Sequence, residues 1–301
     1  MTSFIASTAA ALAIAASSLP AWSAQYRYES VAFPGAVSTT LFAVNDLRQY
    51  VGAKRDAQAI HNAIWNDGTG LHLLNLDALG NIRESWAFSI NTFSDIAGAY
   101  IDAAGVFHGY LRHHDGTIET LDYPGATTTQ GYGVNDRGTV IGVYSDAAGT
   151  SHAFERIKGV WKTIDLPNGA ATTPLSVNDD NQIVGEFQPT LDVIGQGFVL
   201  NEDGTFTLHD APGAPSQSTF FISINNRKQV LGAWDDAEGN QFNFLRKQAK
   251  YHPIALPDSF GATYTSAQTI NDLGDIVGYY VDETGFAKGW TAFSKLALPG
   301  Q

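Results

Sequence analysis

Cysteine is absent from this chain of 301 residues. That excludes thiol catalysis, disulfide staples, any cysteine-based metal site and a cysteine-borne lipid anchor. Cations are scarce: 17 Lys+Arg stand against 30 Asp+Glu, a net charge of −13. Nucleic acid and anionic membrane surfaces both need a basic face, so neither is expected as a partner. The balance suits an exported protein, one that holds a cation, or one that binds neutral sugars. Long apolar runs are also missing, except at the start. Residues 1–24, MTSFIASTAAALAIAASSLPAWSA, carry no charged side chain and end in Pro20 and small residues. They read as a secretory signal peptide cut after Ser23 or Ala24, although without a Lys or Arg ahead of the apolar run. The stretch is too short and too serine-rich for a membrane span. A secreted protein follows, in the periplasm, on the cell surface or in the medium. The remaining 277 residues (301 − 24) can bury a core without disulfides. Helical periodicity is absent, and so are a nucleophile elbow, a phosphate loop, a dinucleotide fingerprint and a zinc-binding helix.

What is present is repetition. An aliphatic residue, an asparagine, a turn, two apolar residues and a glycine recur six times. The asparagines are Asn45, Asn91, Asn135, Asn178, Asn225 and Asn271, spaced by 46, 44, 43, 47 and 46 residues. A period of this size marks a repeat architecture. Asn135-Asp136-Arg137-Gly138 shows the turn most clearly, and Thr139–Tyr144 after it is a β-rich run. Seven residues after each asparagine stands a glycine: Gly52, Gly98, Gly142, Gly185, Gly232 and Gly278. Glycine weakens a strand, so another group should approach closely there, and an aromatic of the adjacent unit is the expected one. A second turn follows with Asp56, Asp102, Asp146, Asp236 or Asp282 at its head. A third strand then starts near His108, His152 or Lys288, and a fourth precedes a Pro-Gly-Ala-like loop such as Pro124-Gly125-Ala126.

Four short antiparallel strands per repeat of about 45 residues are the unit of a propeller blade. The chain is therefore expected to be all-β: a β-propeller of six four-stranded blades, one domain over residues 25–301. Seven blades, the last assembled from both ends, is the alternative, and an open β-solenoid is a more distant one. Ser30–Pro34 and Lys295–Pro299 both resemble a fourth strand, which points to a ring closed by the terminal segments.

The run Asn-Asp-x-Gly-x-Ile-Val-Gly-x-Tyr-x-Asp-x-x-Gly followed by His152-Ala153-Phe154 resembles the bacterial extracellular repeat family named for its His-Ala-Phe (HAF) tripeptide. The resemblance spans residues 26–301 and is closest in the second, third and sixth copies. The first copy has Lys54 at the aromatic position; the fourth has Pro189 for the aspartate and Gln196 for the histidine. The resemblance implies export and a propeller-like fold and transfers no catalytic residue.

Chemistry has few candidates. Asp102, Asp146, Asp236 and Asp282, with Asp56, would share one face of a propeller, where carboxylates hold Ca²⁺ or orient sugar hydroxyls. The plainer reading is that each closes its own hairpin on local amides. His108 and His152 occupy one repeat position on neighbouring blades; a metal ligand pair and structural hydrogen bonding are the two readings. Glu186 and Asp192 lie in the irregular fourth copy, where a unique site would break the pattern. Three functions stay open: a non-enzymatic module binding an extracellular glycan or protein, an exported lyase or hydrolase using carboxylates and a divalent cation, and a structural surface protein. Binding is the leading expectation, as a monomer and with no cofactor unless Ca²⁺. A tight metal site would favour the enzyme. Exposed aromatics on a loop face, for example Trp65 or Tyr132, would favour binding.

Overall fold

The computed structural model describes residues 25–193 and 195–295. The segment read as a signal peptide, and most of Lys295–Pro299, lie outside them. Strand β1 (Tyr26–Val31) comes first. Blade one is β2–β5 (Ser38–Val44, Tyr50–Arg55, His61–Asn66, Leu71–Leu73), and blade two is β6–β9 (Ile82–Ile90, Ile96–Asp102, Phe107–Arg112, Ile118–Leu121). Blade three is β10–β13 (Thr128–Val134, Val140–Ser145, Ser151–Ile157, Val160–Thr163). Blade four is β14–β17 (Ala171–Val177, Ile183–Gln188, Gln196–Leu200, Phe206–His209). Blade five is β18–β21 (Thr219–Ile224, Val230–Asp235, Gln241–Lys247, Lys250–Ile254). The last three strands are β22 (Tyr264–Ile270), β23 (Ile276–Val281) and β24 (Ala287–Ser294).

Each blade is a four-stranded antiparallel meander, and the sixth is completed by the N-terminal strand in the order β1-β24-β23-β22. Tyr26↔Ser294 through Val31↔Gly289 is the register of that closure. Six blades, not seven, use the described chain, and the pairing of the two ends excludes an open solenoid. Closure gives every blade a neighbour on each side, and the sheet edges that remain are short.

The recurrent asparagines explain the ring. Each is buried, and each side chain closes its own turn: the Asn135 Oδ1 accepts from the amides of Arg137 (3.1 Å) and Thr139 (2.9 Å). The Nδ2 then reaches the next blade. Asn45 donates to the Asn91 carbonyl (2.9 Å), Asn91 to Asn135 (3.1 Å), Asn135 to Asn178 (2.8 Å), Asn178 to Asn225 (3.3 Å), Asn225 to Asn271 (2.9 Å) and Asn271 back to Asn45 (2.9 Å). Six blades are thus tied by one closed circle of side-chain-to-backbone bonds. No other residue type does both tasks so well, because an amide offers an acceptor and two donors on one short arm.

The glycines carry a correction. Five of the six glycines face an aromatic of the same blade, not the adjacent one, Gly98↔Tyr110, Gly142↔Phe154, Gly185↔Phe198, Gly232↔Phe244 and Gly278↔Trp290, and Gly52 faces Ile64. The tighter neighbour is backbone. A Cβ on Gly142 would stand 1.9 Å from the Gln130 carbonyl oxygen of the inner strand.

Candidate functional site

The loops between the second and third strands share a face with those leading to the next blade. Here the repeat aspartates close their own loops. Asp146 Oδ1 accepts from Ala148 (2.9 Å) and Thr150 (2.8 Å), and Asp236 Oδ1 from Glu238 (3.0 Å) and Asn240 (2.8 Å). Asp102 takes the Val106 amide (2.8 Å), and Asp282 the Thr284 amide (2.9 Å) with Lys288 on its other oxygen at 2.6 Å. Those partners hold all four carboxyls below their ordinary range: the Val106 amide leads for Asp102, the Thr150 amide for Asp146, the Asn240 side chain for Asp236 and Lys288 for Asp282. They sit on four separate blades. Among the described residues no group of three His, Asp or Glu is gathered for a metal ion.

His108 and His152 each bridge two aspartates of their own blade. His108 Nδ1 is 2.8 Å from Asp122 and its Nε2 3.5 Å from Asp102; His152 Nδ1 is 2.6 Å from Asp165 and its Nε2 3.5 Å from Asp146. Each ring also stacks on the tyrosine before it, Tyr100 or Tyr144, at 5.0 Å between centroids. The hydrogen bond to Asp165 raises the His152 pKa, with Asp146 adding to it. This clamp fastens the third strand to the end of the fourth. In blade four Gln196 takes the same place and donates to Asp210 (2.9 Å).

Blade five loses both halves of the clamp. Phe242 stands where histidine stands and Ala255 where the aspartate stands. Phe242 stacks on Trp234 at 4.4 Å and 17°, and is 37% exposed. Both residues, with Ala255, line a cleft of about 1010 Å³ between blades five and six. Asn240, Gln241, Asp258 and Tyr264 supply polar edges to it. Spacing alone missed this site: His and Asp are also both replaced in blade one (Asn62, Asn75) and in blade six (Lys288, Ala32), so their loss does not by itself single out blade five. Trp65 and Tyr132 are not on this face. Trp65 packs under the Arg112 guanidinium (4.8 Å), and Tyr132 lines the central channel.

The two acids of the irregular fourth copy differ. Asp192 is exposed, and a hydrogen bond from Thr190 lowers its pKa. Glu186 occupies the position that is Ala53, Ala99 and Ala233 in other blades, so burial pushes its carboxyl up to about 7, with Asp235 of blade five adding to the rise. A carboxyl whose folded pKa lies above its unfolded one favours the native state while protonated. Stability from this group therefore falls as pH climbs from the ordinary glutamate range toward 7 and is flat above. Glu186→Gln is expected to raise the melting temperature at pH 8 and leave it unchanged at pH 4; equal effects at both would remove the titration from the account.

The opposite face carries the mouth of the central channel. The residues after the asparagines, Asp46, Thr92, Asp136, Asp179, Asn226 and Asp272, form its rim. Their backbone amides donate to the next rim side chain: Thr92 to Asp136 (2.8 Å), Asp136 to Asp179 (2.8 Å), Asp179 to Asn226 (2.8 Å), Asn226 to Asp272 (2.7 Å) and Asp272 to Asp46 (2.9 Å). The circle is interrupted between Asp46 and Thr92. Below the rim, every inner strand is bulged at the residue three before its asparagine: Phe42, Phe88, Tyr132, Leu175, Ile222 and Gln268 are skipped by the ladder. A bulge re-aims a side chain. All six line the channel cavity of about 420 Å³.

No protein-family profile and no curated protein matches this sequence. Among solved structures the chain is similar to a mutant of the Aleuria aurantia lectin in complex with Fucα1-6GlcNAc, at 10% identity over 88% of this chain and 98% of that one, with a TM-score of 0.52. It is similar to the SapL1 lectin in complex with α-methyl fucoside, at 10% identity over 90% and 98%, TM-score 0.53. It is also similar to TolB from Acinetobacter baumannii, at 11% identity over 87% and 65%, TM-score 0.53. At these identities the likeness shows a shared propeller fold and nothing finer.

Proposed function

We propose that this protein is an exported binding module that takes an extracellular glycan in the cleft between blades five and six, without chemical conversion. The observation that carries the reading is the Trp234–Phe242 stack, in which the exposed Phe242 lies on the half-buried Trp234 at the position of the histidine of blades two and three. Flat aromatic faces pack against the C–H face of a sugar ring, and edge amides and hydroxyls meet its hydroxyl groups. Neutral glycans suit an acidic protein better than anionic ones. Two of the similar propellers are lectins described with fucosides, which supports the glycan class over a protein ligand. Export rests on the composition of residues 1–24, and kinship with the His-Ala-Phe repeat family on the quoted motifs.

The test restores the repeat. Phe242→His with Ala255→Asp rebuilds in blade five the clamp that blades two and three already fold with. On a glycan array followed by calorimetry, the protein without residues 1–24 is expected to bind neutral glycans. The double variant should keep the melting temperature and lose at least about tenfold in affinity, a change of about 1.4 kcal/mol. Glycan binding that survives the double substitution unchanged would place the site elsewhere.

A further inference from the structure

We propose that the channel mouth on the opposite face is a separate binding site, for a small organic ammonium cation carrying a compact aromatic or branched body. The cavity of about 420 Å³ lies within the range of small-molecule sites, roughly 300–1,000 Å³. Its two ends differ in chemistry. The rim presents four carboxylates, Asp46, Asp136, Asp179 and Asp272, and among the described residues no Lys, Arg or His lines the cavity. The base is apolar. Phe42 and Phe88 lie 5.2 Å apart, and Tyr132 meets Phe88 edge-on at 5.4 Å, so blades one to three contribute a continuous aromatic wall. Leu175 and Ile222 continue it through blades four and five.

The rim has unbalanced negative charge. Burial pushes the Asp46 carboxyl up, and Asp272 and Asp136 push it the same way. A cation seated among them offsets that repulsion, and partial enclosure makes each charge count for more than at an open surface. An ammonium group also gains from the ring faces below it. A neutral apolar molecule would gain only the base, and a simple metal cation only the rim. Both features recur because the repeat builds them: the bulge aims one side chain inward per blade, and the asparagine turn sets one polar residue above it. Gln268 is the polar exception in the base, and its Nε2 donates to the Ser266 Oγ at 2.8 Å. This site shares no residue with the cleft between blades five and six, so neither reading depends on the other.

The experiment titrates the protein without residues 1–24 with phenethylammonium chloride and, in parallel, with the neutral 2-phenylethanol, by calorimetry at low salt. Phenethylammonium is expected to bind with one-to-one saturation and about tenfold more tightly than the alcohol, a preference that added salt erodes. Asp46→Asn with Asp136→Asn keeps the acceptor oxygens and should erase the preference. Gln268→Trp fills the base and should abolish binding of both probes while phenethylammonium's heat disappears. No saturable heat, equal affinity for the alcohol, or a preference that persists in the asparagine double variant each overturns the proposal. Should Gln268→Trp fail to fold, the asparagine pair decides alone.

Discussion

Asp275→Ala is expected to destabilise the protein by about 3–5 kcal/mol, the cost of stranding one partner of a buried ion pair. The Asp275 carboxylate is fully buried in blade six and accepts Arg48 Nε at 2.9 Å and Nη2 at 3.2 Å from blade one. Arg48 Nη2 also donates to the Ser294 carbonyl (3.0 Å), Ser294 returns its amide to Asp275 (2.7 Å), and the guanidinium lies over Phe293 at 5.0 Å. All of this sits on the seam where the ring closes. The running chain joins blade six to blade one through residues 32–37, as it joins the other blades, but β1 must first pair with β24 to complete blade six; ring closure rests on that pairing, with the asparagine bond, the Asp272-to-Asp46 bond and this ion pair beside it. Other blades hold Gln49, Asp95, Thr139, Gln182 and Gln229 at the equivalent position, and none of those makes a bidentate ion pair to the next blade. Asp275→Gln should recover little, because it keeps the turn but not the charge. Pairing Asp275→Leu with Arg48→Met should recover much, since an apolar pair of similar volume often replaces a buried ion pair without loss. Denaturant midpoints of the three variants check this; a cost for Asp275→Ala within about 1 kcal/mol, the range of an exposed pair, would sink the staple.

The residues that recur were legible because each does a local job. Asn135 and Asp146 close turns on neighbouring amides, and such turns leave Asn, Asp and Gly at fixed spacing. Blade number followed from counting them. What those residues do between blades was not legible, because it depends on the second donor of an amide whose first role already explains it. The bulges were hidden for another reason. Phe42, Leu175 and Gln268 share a position and not a residue type, since the channel asks only that something point inward. The clamp was half visible. His108 and His152 stood out as a pair, but their partners Asp122 and Asp165 arrive from a strand more than ten residues on. Blade five, where both partners are missing as they are in blades one and six, therefore did not stand out. Glu186 was singled out for the irregular loop beside it, whereas its perturbed carboxyl comes from burial and from Asp235 of blade five, at a position that holds alanine in blades one, two and five.

Gly142→Val is the sharpest test of how a blade is packed, with an expected loss of more than about 3 kcal/mol, beyond ordinary overpacking. The obstacle is the Gln130 carbonyl oxygen at 1.9 Å from any Cβ, with the Phe154 ring next at 3.0 Å. A ring can rotate away. A carbonyl locked in the β10–β11 ladder moves only if the inner strand shifts, and with it the bulge at Tyr132 and the bond from Asn135 to blade four. Two internal comparisons separate this cause from glycine's conformational freedom. Gly149, at φ +82° with nothing within 4 Å of its would-be Cβ, should cost only about 1 kcal/mol as alanine, from backbone strain. Gly232, whose facing carbonyl stands back at 2.7 Å, should tolerate alanine better than Gly142 does. The decisive variant adds Phe154→Ala to Gly142→Val. If the glycine existed to admit the aromatic, removing the ring would restore stability; the backbone contact instead makes the two losses accumulate, and a rescued melting temperature would return the role to the ring.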